Sequence, residues 1–121
     1  MPFDAETLDL LARTKEVRIE TSRPGGPVHN AIIWIVVDGQ DVFIRSFRGE
    51  RGRWYRETLA NPRVTIVAVD RRIEATAVSA TDAESVQRCS EGFQLKYSKS
   101  KSTPMMLADD ILDTTLRLDP A

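Results

Sequence analysis

The chain has 121 residues, and its 17 lysines and arginines nearly balance 18 aspartates and glutamates, giving a formal net charge of −1. This length predicts one domain, residues 1–121, and the charge balance disfavours binding of long polyanions through overall charge.

A single cysteine, Cys89, excludes an intramolecular disulfide, and a single histidine, His29, excludes a multi-histidine metal site, so we predict no metal centre. The longest apolar run (31–37) is too short for a membrane span, and the acidic N-terminus lacks a signal-peptide pattern, so we expect a cytoplasmic protein.

Hydrophobic periodicity and turn signals predict three helices and six strands. In chain order these are a helix at 5–14, strands at 16–21, 28–37 and 41–47, a helix at 54–60, strands at 63–69 and 73–81, a helix that begins after Asp82, and a strand at 113–118. Asp38-Gly39 is a strong hairpin signal, and tight turns between most strands favour antiparallel pairing. We predict a mainly β fold with flanking helices, arranged as a small six-stranded antiparallel barrel; an open sheet with helices on one face is the alternative.

The segment 45–56 is the densest feature of the sequence, with five arginines and one glutamate. It leaves a strand, crosses Gly49 and Gly52, and enters a helix, whose N-terminus attracts anions. Arginine matches phosphate oxygens as a planar fork, and Trp54 and Tyr55 add aromatic surface for a flat ring. The pattern predicts an anion pocket beside an aromatic wall. A solvated loop whose arginines pair with carboxylates elsewhere in the chain is the alternative.

Three stretches carry a resemblance to a known superfamily. A buried strand (31–37) meets the Asp38-Gly39 hairpin, the strand end 43–46 opens into the basic loop, and Trp54-Tyr55 precedes Ala60-Asn61-Pro62. Together they resemble the flavin-binding split-barrel superfamily, which includes pyridoxamine phosphate oxidases and deazaflavin-dependent nitroreductases. The stretch from Trp54 to Thr65 is similar to the W-Y-x-x-L-x-A-N-P-x-V-x-V pattern of the nitroreductase branch, and 114–118 resembles the closing strand of an uncharacterised small branch.

The resemblance implies a split β-barrel that forms a homodimer with a cofactor at the subunit interface. The cofactor implied is FMN or the deazaflavin F420, held by the third strand, the basic loop and the following helix start. Residue by residue, the implied cofactor contacts are Arg45, Ser46, Arg48, Arg51, Gly52, Trp54 and Tyr55. Many relatives carry a basic residue early in the second strand, where this chain offers His29. Tyr97, on the helix after the fifth strand, is implied as a substrate contact, with apolar packing as the alternative.

These observations support three hypotheses about function. The first is an FMN- or F420-dependent oxidoreductase acting on an unknown small molecule, with no catalytic residue assigned because the cofactor carries the redox chemistry. The second is a non-catalytic protein that binds a flavin, haem or another planar anion. A single-stranded nucleic-acid module comes last, because aromatic residues make up only 7% of the chain and the basic residues lie in one loop.

Two further features have plain structural interpretations. Cys89 lies on the apolar stripe of the third predicted helix, which favours a buried structural thiol over a nucleophile paired with His29. Asp109, Asp110 and Asp113 form a small acidic cluster, which we interpret as helix caps or solvated carboxylates rather than as a cation site.

Overall fold

A computed structural model of the chain describes residues 2–121. Its helices and strands follow the predicted order closely. They are α1 (Ala5–Arg13), β1 (Glu16–Thr21), β2 (His29–Trp34), β3 (Val36–Asp38), β4 (Asp41–Ile44), α2 (Arg53–Ala60), β5 (Arg63–Ala68), β6 (Arg71–Ser79), α3 (Ala83–Lys96), α4 (Thr103–Met106) and β7 (Leu116–Pro120). Short 3-10 helices at Gly49–Arg51 and Asp109–Thr114 connect some of these elements.

The strands form one antiparallel sheet in the order β2-β1-β5-β6-β7-β4-β3. The strands at its two ends, β2 and β3, are separated in the chain by Ile35 alone. The sheet therefore curls until its two ends meet at one residue. The prediction of a mainly β, antiparallel barrel with flanking helices is confirmed, whereas the predicted count of six strands is one too few.

The extra strand arises because the apolar stretch predicted as one strand (28–37) bends at Ile35. The Ile35 N–H donates to the Tyr97 hydroxyl at 3.1 Å, and the Ile35 carbonyl accepts from Lys96 Nζ at 2.7 Å. Lys96 Nζ also donates to the Leu11 carbonyl at 2.9 Å. Side chains at the end of α3 thus satisfy a buried backbone that has left the strand ladders.

Apolar side chains pack into two clusters. The larger one fills the curled sheet and includes Ile19, Ile44 and Ile66. The smaller one lies beneath α3 and joins Cys89 and Phe93 to β3 and β4. The helix sits so close to β3 that a Cβ added to Gly92 would lie 2.9 Å from the Val36 Cβ.

The last strand begins later than predicted, at Leu116, because the preceding residues form the 3-10 helix Asp109–Thr114. The third predicted strand ends early, at Ile44, and its next residue, Arg45, turns inward.

Among residues 2–121, no helix combines the length and the apolar character needed to cross a bilayer.

Candidate functional site

A cleft of about 840 Å³ lies beside β2. Its walls come from β2, the loop after β4, the start of α2 and the segment that follows α3. Its lining includes His29, Ile32, Trp34, Arg45, Ser46, Phe47, Arg48, Gly52, Arg53 and Trp54. The cleft therefore lies where β2, an end strand of the sheet, faces the arginine-rich segment predicted to bind anions.

The loop that leads into α2 is held by its own backbone and by one serine. The Ser46 hydroxyl donates to the Gly49 carbonyl at 2.8 Å, and the Ser46 N–H donates to Thr114 Oγ1 at 3.1 Å. Gly49 has φ +63°, a conformation that favours glycine, and a Cβ on Gly52 would lie 2.6 Å from Ser46 Oγ. Both glycines are thus required by the loop, and Ser46 is buried as a loop support that also lines the cleft.

Two arginines and a helix N-terminus give the cleft its positive end. Arg48 and Arg53 are exposed, line the cleft and flank Gly52, the N-cap of α2. No side chain caps this helix, and its first turn contains no acidic residue. An uncapped N-terminus carries partial positive charge and free amide donors, so this end of the cleft is suited to a phosphate or carboxylate.

Aromatic and aliphatic side chains form the rest of the cleft wall. Trp34 and Trp54 are half-buried, while Phe47 and Ile32 remain 49% and 67% exposed. The Trp34 ring stacks on Tyr97 with centroids 4.0 Å apart and planes 1° apart, which fixes its orientation. An exposed apolar surface beside two guanidinium groups suits a flat ring that carries an acidic substituent.

A buried carboxylate at the edge of the cleft was missed by the sequence reasoning. Antiparallel pairing places Thr21 of β1 opposite His29 of β2, and α2 packs against both strands. Glu57 of α2 accepts a hydrogen bond from Thr21 Oγ1 at 2.7 Å and lies 2.8 Å from His29 Nδ1. Its side chain is only 4% exposed, whereas that of His29 is 34% exposed.

Opposing effects act on the ionisation of this carboxylate. Burial alone would raise the pKa of Glu57, but the hydrogen bonds from Thr21 and His29, with the charges of His29 and Arg53, bring that pKa below its ordinary value. Glu57 is therefore ionised at neutral pH and acts as a fixed acceptor beneath His29.

Arg45, predicted as a cofactor contact, makes four hydrogen bonds within the protein. Its guanidinium donates to Thr115 Oγ1 at 2.8 Å, Ser90 Oγ at 3.0 Å, the Met106 carbonyl at 2.9 Å and the Val86 carbonyl at 3.1 Å. The residue is 1% exposed, and burial lowers the pKa of its guanidinium. Although it touches the cleft, Arg45 uses these hydrogen bonds to tie the end of β4 to α3, α4 and the residue before β7.

Three of the predicted site residues do not line the cleft. Tyr55 is buried in the larger apolar cluster, and Arg51 is exposed on the 3-10 helix. Tyr97 lines a neighbouring cavity of about 340 Å³, where its hydroxyl donates to the Lys15 carbonyl. Burial raises the pKa of Tyr97 to about 12. Packing against Trp34 and support of the Ile35 bend account for its position.

The remaining candidates from the sequence show no arrangement suited to chemistry. Cys89 is buried, and burial raises the pKa of its thiol to about 12, which makes it a poor nucleophile. Within residues 2–121, no group of three or more histidine, cysteine, aspartate and glutamate side chains is placed to hold a metal ion, and this includes Asp109, Asp110 and Asp113.

Comparisons with known proteins agree with this architecture. A family model described as an uncharacterized protein conserved in bacteria (DUF2255) matches residues 7–118. No curated protein matches the chain. Similar solved structures include HutZ, the heme storage protein from Vibrio cholerae, with TM-score 0.72 and 16% identity, covering 100% of this chain and 92% of that one.

Two further solved structures have a similar fold. A candidate pyridoxamine 5′-phosphate oxidase from Listeria innocua has TM-score 0.62 and 16% identity, covering 93% of this chain and 87% of that one. A NimC/NimA family protein from Clostridium acetobutylicum has TM-score 0.67 and 12% identity, covering 96% of this chain and 80% of that one. The resemblance to the split-barrel superfamily is therefore confirmed at the level of fold.

Proposed function

The chain belongs to the DUF2255 family of uncharacterised bacterial proteins, and we propose that its cleft binds a planar cofactor with anionic substituents. One observation carries the proposal. Arg48 and Arg53 flank the uncapped start of α2 at one end of a cleft whose wall is formed by Trp34, Phe47 and Trp54. Charge complementarity would hold the acidic group, and the aromatic surface would cover the ring.

FMN and the deazaflavin F420 are the first cofactors to consider. Each pairs a flat ring system with a phosphate. The phosphate matches the positive end of the cleft, and the ring system matches its aromatic wall. A bound flavin or deazaflavin would supply hydride chemistry, while Arg48, Arg53 and the α2 amides would bind and orient it. The protein would then act as an oxidoreductase on a small molecule.

Haem is the second candidate, and His29 favours it. The names of similar solved structures include a heme storage protein and a heme binding protein. Haem also combines a flat ring with acidic groups, so the same arginines would serve. In this case the protein would bind the ring without turning over a substrate.

We also propose a homodimer with the ligand between its subunits, because apolar residues beside the cleft are exposed. Val28, Ile32 and Phe47 are 65%, 67% and 49% exposed, and they form or adjoin the open wall of the cleft. A second copy would cover this surface and enclose a bound ring. Sedimentation equilibrium, with and without ligand, measures the association directly.

Titrations that follow tryptophan fluorescence test the proposal, because Trp34 and Trp54 line the cleft. FMN, F420 and ferric haem are the ligands, and Arg48→Ala and Arg53→Ala are the variants. Each variant should lose about 1–3 kcal/mol of binding free energy, as expected for a charge-assisted hydrogen bond. Arg56→Ala is the matched control, since Arg56 is exposed on α2 but does not line the cleft.

The possible outcomes separate the parts of the proposal. If none of the three ligands binds, a planar-cofactor function is wrong. Equal losses in Arg48→Ala and Arg56→Ala would move the anion site away from the cleft. Including Arg51→Ala tests the sequence prediction that this arginine also contacts the cofactor. Consumption of a reduced nicotinamide donor by the FMN complex would favour an oxidoreductase over a binding protein.

A further inference from the structure

A chain of hydrogen bonds links Thr21, Glu57 and His29. The binding of a flat anion by the cleft gives this chain no role. Burying a carboxylate is costly unless its oxygens are satisfied. Here one Glu57 oxygen accepts from the Thr21 hydroxyl, and the other lies 2.8 Å from His29 Nδ1. The three residues come from β1, α2 and β2, so the folded barrel holds the imidazole in one orientation.

The contact with Glu57 determines which nitrogen of His29 carries the proton. An ionised carboxylate can only accept hydrogen bonds, so Nδ1 must donate. In the neutral ring this leaves the lone pair on Nε2. His29 lines the cleft and keeps 34% of its side chain exposed, so the ring remains accessible to a ligand there.

This arrangement is typical of histidines that bind metals. Such residues commonly donate their second ring N–H to a carboxylate, which fixes the tautomer and makes the free nitrogen a stronger ligand. Within residues 2–121, however, no group of three or more histidine, cysteine, aspartate and glutamate side chains is placed to hold a bare metal ion. A metal that meets His29 must therefore bring most of its ligands with it, as the iron of a porphyrin does.

We propose that His29 would coordinate the iron of haem bound in the cleft and that Glu57 is the positioning residue behind it. This inference rests on the proposed function, because the porphyrin must first occupy the cleft. The charges agree with the assignment. Haem carries two carboxylates, and the cleft offers two exposed arginines, Arg48 and Arg53.

Titration with ferric haem and with metal-free protoporphyrin IX tests the inference, because the two rings share their shape and carboxylates and differ in the iron. Tryptophan fluorescence reports occupancy of the cleft, and the Soret absorbance reports ligation of the iron. The wild type should bind ferric haem at least about 10-fold more tightly than the metal-free ring. His29→Ala should abolish that preference without weakening the metal-free ring, and added imidazole should restore the Soret spectrum.

Glu57→Gln tests the positioning role. It should weaken ferric haem binding by about 10- to 100-fold and shift the Soret band, while Glu84→Gln, at an exposed position of α3, should do neither. Circular dichroism checks that the variant folds. Should Glu57→Gln fail to fold, Thr21→Val provides the milder perturbation, since it removes one hydrogen bond to Glu57 and leaves the His29 contact in place.

The results distinguish three situations. An iron-dependent preference that disappears in His29→Ala and returns with imidazole supports the ligand assignment. Equal affinity of the wild type for both rings, or an unchanged haem spectrum in His29→Ala, overturns it while leaving the cleft as a binding site for flat anions. If neither ring nor FMN quenches the tryptophan fluorescence of the wild type, the cleft function and the ligand assignment both fail.

Discussion

Replacement of Arg45 by methionine separates a structural role of this residue from a role in ligand binding. The side chain is 1% exposed, and its four hydrogen-bond acceptors are neutral groups of α3, α4 and the segment before β7. Its guanidinium also lies 5.5 Å from the centre of the Phe93 ring. Methionine has a comparable length but no donor, so all four acceptors lose their partner.

The expected cost follows from these contacts. Four hydrogen bonds at about 1 kcal/mol each contribute about 4 kcal/mol to stability. Burial of the methionine side chain recovers about 1–2 kcal/mol. Arg45→Met should therefore lower the free energy of unfolding by about 2–3 kcal/mol, and the desolvation that disfavours a buried cation makes this an upper estimate.

Urea unfolding, followed by circular dichroism, measures this loss, with Arg56→Met as an exposed control that should change stability by less than about 0.5 kcal/mol. The folded fraction of Arg45→Met should still bind whichever planar ligand the wild type binds. Unchanged stability together with a loss of ligand affinity as large as that of Arg48→Ala would refute the structural assignment. Arg45 would then be the cofactor contact predicted from the sequence.

Two further predictions concern α3. Gly92→Ala should lower the free energy of unfolding, measured in urea, by about 1–3 kcal/mol, because the new Cβ would lie 2.9 Å from the Val36 Cβ. This loss is expected although alanine favours helices. A stabilised variant would show that α3 can shift. Burial, with the nearby charge of Lys15, lowers the pKa of Lys96 from 10.5 to about 8. Between pH 8 and pH 10.5 the unfolded chain binds more protons than the folded one. The free energy of unfolding should therefore rise with pH over this range, by about 3 kcal/mol at most. Lys96→Met should lack this rise in urea unfolding at pH 8 and 10.5, and an equal slope in both proteins would refute the assignment.

The strand pattern of the barrel was largely predictable because alternation of apolar residues is a local property. The bend at Ile35 was not, since an uninterrupted apolar run is compatible with one strand or with two. The partners that stabilise the bend, Lys96 and Tyr97, lie about sixty residues later in the chain. Nothing in the spacing of 28–37 indicates that distant side chains will satisfy one of its peptide groups.

The site was predictable as a region but not residue by residue. The arginine-rich segment lies at the cleft, as its charge and glycines indicated, yet charge alone does not show which arginine meets solvent. Arg45 is buried because α3 and α4 supply its acceptors, and Glu57 resembles an ordinary exposed charge of a short helix. Its contacts with Thr21 and His29 exist only after β1, β2 and α2 have assembled.

The position of β7 in the sheet has a consequence for how the protein folds. Within the sheet, β7 alone joins the larger group of strands, β2-β1-β5-β6, to the β3–β4 hairpin. It pairs Leu118 with Val42, 76 positions earlier in the chain. Contacts of such long range close slowly, because the loop entropy is lost before the pairing compensates for it. On the ribosome, the two groups of strands would therefore remain unpaired with each other until β7 has emerged, and their exposed edges would depend on protection until then.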